Sequence, residues 1–336
     1  MYRTIIVAGP AELPRFCAAA GNPLRPEAVA RQSPDFSFLL ENAGREAIAR
    51  CSLWWRQTPA HESHTVGYVG HYAVSDPAAA LALFDIAMER LAAEGCTLAI
   101  GPVDGNTWQR YRLLTDRGTE PPFFLEPDNP DEWPAQFSAV GFTPLAQYCS
   151  ALNSDLTADD PRLPELERKI GDVGITVKAL RPERFDEEMR RVHALSLVSF
   201  RDNFLYTPID EADFLAQYTP IRPYMRPDLV LLAERGGDLV GFIFAIPNLL
   251  QAQSSRPMDT AIIKTMAVHP AHGGVGLGSL LMARCHQAAR AAGFTRMIHA
   301  LFHEANRSGR ISGHTARVIR RYALFARTLP GVGCKE

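Results

Sequence analysis

The chain has 336 residues, 46% hydrophobic and 21% charged, enough for two globular domains that each bury a core. Its 35 basic and 37 acidic side chains leave a net charge of −2, which supplies no basic field and excludes nucleic acid as a partner. No run approaches the roughly 20 apolar residues of a membrane span, and the N-terminal apolar run ending near Ala8 is too short for a signal-peptide core, so no membrane partner is expected.

None of the six cysteines forms a CxxC pair, which suits buried thiols in a reducing cytoplasm, and no metal is expected. In chain order, residues 65–74 have strand character. Asp76 and Pro77 then make an N-cap and first turn for a helix running to Glu94, with Gly95 beyond it. Residues 96–100 and, after Gly141-Phe142, residues 145–152 are predicted strands. The acidic, proline-ended stretch 154–161 reads as a linker, with a short helix over 163–170.

The second half alternates more clearly. Residues 175–180 form a strand, and 182–200 a helix with Phe185, Met189, Val192, His193 and Leu197 near helical spacing. A shorter helix covers 210–218. Two apolar runs, 229–233 and 239–246, flank the hairpin signal Gly236-Gly237-Asp238. Strand 261–268, helix 279–292 closed by Gly293, strand 296–302 and a final strand 318–325 follow, with a further helix between the last two strands. This order implies an α/β fold whose mixed sheet carries helices on both faces. The first half echoes it loosely, as a diverged duplication would.

The sharpest motif is Gly273-Gly274-Val275-Gly276-Leu277-Gly278, between a predicted strand and a helix beginning at Ser279. Four glycines in six residues let successive backbone N–H groups point inward, and the helix start adds partial positive charge. Together they suit two linked phosphates. A dinucleotide fold places its GxGxxG after the first strand of a parallel sheet. A P-loop needs Lys followed by Ser or Thr after its last glycine, and here the next residues are Ser279-Leu280.

With these residues the chain resembles the GNAT superfamily of acyl-CoA-dependent N-acyltransferases. The family pattern V-x-P-x-x-[Q/R]-x-x-G-x-[G/A]-x-x-L meets Val268, Pro270, Gly276, Gly278 and Leu281, with Gly273 departing at the Gln/Arg position. The resemblance implies two tandem GNAT-like domains, each a mixed, mostly antiparallel sheet flanked by helices. Residues 1–153 form a degenerate copy, 154–173 a linker, and 174–336 the acyl-CoA-binding domain. In the first copy the corresponding loop, residues 74–80, has no glycine, and Asp76 there repels phosphate.

The resemblance further implies that acetyl-CoA or another acyl-CoA lies on Met266, Ala267 and Val268 by strand-like pairing. Its pyrophosphate rests on residues 273–279, from Gly273 to Ser279, and Asn306 touches the pantetheine arm. The family's usual base and acid positions fall on Ile262 and Gly313, neither of which can serve. The nearest ionisable groups to the first are Asp259 and Lys264. Local candidates for the chemistry are His303, Glu304, His314 and Tyr322, of which His303 and Tyr322 are preferred. The acceptor is expected against Phe200, Asn203 and Tyr206, with Trp108, Arg112 and Glu126 of the first half as further contacts.

The expected activity is transfer of an acyl group, acetyl in the simplest case, from CoA to the amine of a small molecule. A non-catalytic acyl-CoA-binding or sensor protein is the alternative. An aminoacyl-tRNA-dependent transferase is disfavoured by the glycine loop and the net charge.

Overall fold

A computed structural model describes residues 2–157, 160–253, 257–304 and 316–330. The first half contributes strands β1 (Arg3–Ile6), β2 (Phe36–Glu41), β3 (Ala47–Trp54), β4 (Val66–Val74), β5 (Leu98–Gly101), β6 (Leu113–Asp116) and β7 (Thr143–Asn153). Its helices are α1 (Leu13–Ala18), α2 (Pro26–Gln32), α3 (Pro77–Ala93) and α4 (Trp133–Ala139). The second half contributes β8 (Ile175–Ala179), β9 (Val230–Arg235), β10 (Asp238–Pro247), β11 (Thr260–Val268), β12 (Arg296–His303) and β13 (Arg317–Thr328). Its helices are α5 (Leu163–Asp172), α6 (Phe185–Ser199), α7 (Glu211–Tyr218), α8 (Leu249–Ala252) and α9 (Leu277–Ala291).

These strands form one mixed sheet in the order β1-β2-β3-β4-β5-β13-β7-β12-β11-β10-β9-β8, with β6 attached to β13. Reading inward from either edge gives the same plan. Four antiparallel neighbours come first, β1 to β4 or β8 to β11. A parallel fifth strand follows, β5 or β12. Parallel neighbours need a crossover, and α3 and α9 supply it. At the centre the halves exchange strands: β13 pairs with β5, β7 pairs with β12, and β13 and β7 pair with each other.

Side-chain alternation along β10 and β11 sorts two cores onto the two faces. Ile243, Ala245, Ala261 and Ile263 pack under α9 and α5. Phe242, Phe244, Ile246 and Ile262 pack under α6 and α7. In the first half, α3 and α4 cover one face through Leu83, Phe84 and Phe137. The other face holds Tyr68, Ile100, Tyr148 and Tyr322, and it is closed partly by Leu205 from the second half.

The strands and helices expected from sequence between residues 65 and 152, and between 175 and 302, form within a few residues of their expected ends. The helix expected between the last two strands falls largely outside the described residues. Strands β1, β2, β3 and β6 and helices α1, α2 and α4 are not among the expected elements. Residues 36–41 and 47–54 are buried on both faces, so they lack the polar alternation that marks a half-exposed strand.

Candidate active site

The site begins where two parallel strands part. β11 and β12 stay in register from Thr260–Arg296 to Ile263–His299, and the pairing then ends. β11 continues along β10 as far as Val268–Gly241. β12 turns off at an irregularity between His299 and Phe302 in its pairing with β7. There Leu301 takes a φ of 60°. Its N–H donates to Ser150 Oγ at 3.0 Å, and its carbonyl accepts from Arg112 Nη1 at 3.2 Å. The Arg112 guanidinium lies 3.7 Å from the Tyr111 ring centroid and 3.9 Å from that of Tyr148. A first-half arginine therefore holds the bend that opens the second-half strands.

A cavity of about 900 Å³ extends from this wedge, bounded by β11, β12, the 200–206 segment, α7 and first-half residues 107–112 and 125–127. The first-half loop reaches it by crossing β4 at Gly70, where an added Cβ would lie 2.1 Å from the Val103 carbonyl oxygen. The structure brings Phe200, Asn203, Tyr206, Trp108 and Glu126 together in this one wall, with Arg112 beside them. Trp108 donates through Nε1 to the Thr207 carbonyl at 2.8 Å. Its ring lies 6.0 Å from those of Phe200 and Phe214.

The glycine loop lies at the same end of β11. After a single turn over Pro270–His272, Gly274 and Gly276 take φ values of 84° and 94°, and α9 starts at Leu277. The first amides of α9 have no intrahelical acceptor. Gly276 takes a left-handed conformation that favours glycine, and an added Cβ would lie 2.8 Å from the Leu166 Cδ2 of α5, so that side chain would have to shift. The corresponding helix start in the first half is closed: Asp76 caps α3 by accepting from the Ala78 N–H at 3.1 Å.

His303 ends β12 in the cavity wall, its ring edge-on to Tyr148 at 4.9 Å. Burial and the nearby Arg112 lower its pKa below the ordinary imidazole value, with Glu304 opposing. Glu304 itself pairs with Arg321. Tyr322 is 1% exposed and lies behind the wall, outside the residues that bound the cavity. Its hydroxyl donates to Glu126 Oε1 at 2.8 Å and lies 3.2 Å from Ser150 Oγ. Glu126 also accepts from Arg320 Nε at 2.8 Å and from the Phe123 N–H at 3.2 Å. Burial raises the Glu126 pKa despite these donors. Glu126 thus fastens its loop to β13 while forming part of the wall. Asn306, Gly313 and His314 lie outside the described residues.

Two further ionisable groups mark the wedge. The Lys264 Nζ donates to the Leu125 carbonyl at 3.0 Å, and the half-buried side chain lines the cavity. Burial, reinforced by Arg112, lowers its pKa to about 7, with Glu126 opposing. His299 Nε2 lies 3.0 Å from His286 Nε2. Burial holds this pair neutral, with pKa values lowered to about 4 for His286 and about 3 for His299. Lysine inside the otherwise apolar or hydroxyl-bearing run of β11 was the sequence signal for Lys264, but its place in the wedge depends on register. Asp259, the other ionisable group near the vacated base position, precedes β11 at its opposite end and binds Gln251 and Thr260. Among the described residues no cluster of three or more metal-ligating side chains occurs, and no helix is long and apolar enough to cross a membrane.

Residues 192–310 match the acetyltransferase (GNAT) family. Over 219 residues the chain is 28% identical to a bacterial ceramide synthase of Caulobacter vibrioides, an alignment covering 64% of this chain and 56% of that protein. The chain spans about half the length of the curated relatives it matches, 56% and 48%. A tandem GNAT protein from the clavulanic acid biosynthesis pathway shares the fold with a TM-score of 0.52 and 14% identity, covering 98% of this chain and 99% of that one. A probable N-acyltransferase of Enterococcus faecalis aligns with a TM-score of 0.59 and 11% identity, over 98% of this chain and 73% of that one.

Proposed function

Because residues 192–310 match the acetyltransferase (GNAT) family, we propose that the chain is an acyltransferase that moves an acyl group from CoA to the primary amine of a molecule with a long apolar chain. The cavity carries this reading. At about 900 Å³ it lies near the top of the range for ligand pockets, and aromatic rings from both halves line it. Its size favours long-chain partners over the acetyl group and small amine expected from sequence. The similarity to a ceramide synthase supports the same choice, since a ceramide is a fatty amide of a long-chain amino alcohol.

In this reading the acyl-CoA pyrophosphate rests on the amides of residues 273–279, and the pantetheine arm pairs with Met266, Ala267 and Val268. Asn306 is a further contact. The thioester then enters the wedge between β11 and β12. Phe200, Tyr206 and Trp108 enclose the acceptor chain, and Asn203 meets its polar end. His303, with its depressed pKa, receives a proton from the attacking nitrogen and passes it to the departing sulfur. Tyr322 acts indirectly by holding Glu126 in the wall. The CoA site falls to residues 174–336, while residues 1–153 supply walls. A cytoplasmic setting is supported by five free, buried cysteines among the described residues.

The test is incubation with a long-chain acyl-CoA and a long-chain amino alcohol, following thiol release and product mass. An N-acyl product is expected. CoA binding without product would favour the sensor reading.

A further inference from the structure

Resting on the acyl-transfer reading, we propose that Lys264 is the catalytic base that takes a proton from the acceptor ammonium. The residue stands where two irregularities meet. The β10–β11 ladder matches Ala245 with Ile263 and Phe244 with Thr265, so Lys264 is the extra residue of a bulge. The β11–β12 ladder ends one residue earlier, at Ile263–His299. A bulge re-aims a side chain, and bulges are enriched beside active sites. This one puts a lysine at the apex of the wedge and in the wall of the cavity, beside the space proposed for the thioester.

Its surroundings suit a base rather than a fixed cation. The Nζ bonds to a neutral carbonyl, that of Leu125. Among the described residues it has no carboxylate within ion-pair distance. Glu126 from the adjoining loop is already engaged by Arg320 and Tyr322. Arg112 acts on it from the other first-half loop, while His299 and His303 of β12 and Asp202 of the 200–206 segment border the same cavity. Burial and the Arg112 charge favour the neutral amine, bringing the pKa to about 7. Both effects act toward the unprotonated amine that a base requires.

The step balances as follows. Neutral Lys264 takes one proton from the acceptor ammonium and later releases it to solvent. The freed nitrogen lone pair forms the C–N bond as the thioester π pair moves onto oxygen. When that pair returns, the C–S bond breaks. The nitrogen's second proton reaches the sulfur, leaving an amide and free CoA thiol.

The experiment compares wild type with Lys264→Met and Lys264→Arg. It follows kcat against pH with a long-chain acyl-CoA and a long-chain amino alcohol, and CoA affinity by calorimetry. Wild-type kcat should rise through a pKa of about 7. Both variants should bind CoA like wild type, lose about 100-fold or more in kcat, and lose that rising limb. Full activity in Lys264→Arg, persistence of the limb in Lys264→Met, or loss of CoA affinity in both would overturn the assignment while leaving acyl transfer standing. A wild type that forms no amide at all would overturn the underlying reading and this assignment with it.

Discussion

Ile263 and His299 are the last residues that β11 and β12 pair before the strands part. Everything assigned to the site follows from that ending. Beyond Ile263 the strand presents a bulged lysine and then the backbone of Met266 to Val268. Beyond His299 the partner strand bends at Leu301, held by Arg112 and Ser150. The wedge is thus a second-half feature whose bent strand is held by a first-half side chain.

The glycine loop should tolerate change unequally. Gly276→Val meets both a φ of 94° and Leu166 at 2.8 Å, whereas an added Cβ at Gly274 meets no atom within 4 Å. Both substitutions carry the left-handed backbone cost of about 1–2 kcal/mol. Only Gly276→Val must also push aside the Leu166 side chain of α5. CoA affinity measured by calorimetry should fall at least about tenfold for Gly276→Val, and by less for Gly274→Ala.

Removing one partner of the Arg320–Glu126 pair leaves a buried charge unmatched, since the side chains are 0% and 4% exposed. Arg320→Ala should therefore cost about 3–5 kcal/mol in denaturant unfolding. Arg117→Ala breaks pairs whose partners Asp128 and Asp131 are 61% and 77% exposed, and should cost under about 1 kcal/mol. Equal costs would contradict the anchoring role given to Glu126.

Tyr322 and His303 should separate. Tyr322→Phe removes one buried donor to Glu126 and should cost about 1 kcal/mol of stability with little change in kcat. His303→Ala removes a group in the cavity wall and should lower kcat by about 100-fold. A large kcat loss in Tyr322→Phe with unchanged stability would restore Tyr322 as a direct acid.

The His286–His299 pair gives stability a pH signature. Both folded pKa values, about 4 and about 3, lie below the ordinary value, so the native state favours the neutral rings. The unfolded chain takes up protons first. This contribution is therefore complete above an unfolded pKa of about 6.5 and is lost as pH falls toward about 4. His299→Gln should flatten the decline in Tm across that window relative to wild type. Identical slopes would contradict the assigned neutrality.

Trp108 should govern the acceptor rather than the cofactor. Its ring borders the cavity beside Phe200. Trp108→Ala should raise KM for a long-chain amine about tenfold or more while leaving CoA affinity unchanged.

The legible part of this protein was the part written in local sequence. The loop from Gly273 to Gly278 and the strands and helices around it follow from glycine spacing and periodicity. So does the closed helix start at Asp76, because a cap is a local bond. Phe200, Asn203, Tyr206 and Trp108, which stand out because aromatic and polar groups mix in those loops, line one cavity. Lys264 was named but not placed, because a bulge is a property of pairing between strands. Tyr322 is legible as a candidate acid, but its partner is not: β13 lies between β5 and β7, and there its hydroxyl donates to Glu126. No periodicity within one half reveals which strand of the other half will sit beside it.

The most direct test is a structure of the protein bound to CoA and a long-chain N-acyl amine. The pyrophosphate should contact the amides of residues 273–279, the sulfur should lie between β11 and β12 near Lys264, and the apolar chain should run past Phe200 and Trp108. CoA held elsewhere, or an apolar chain lying outside the cavity, would contradict the account.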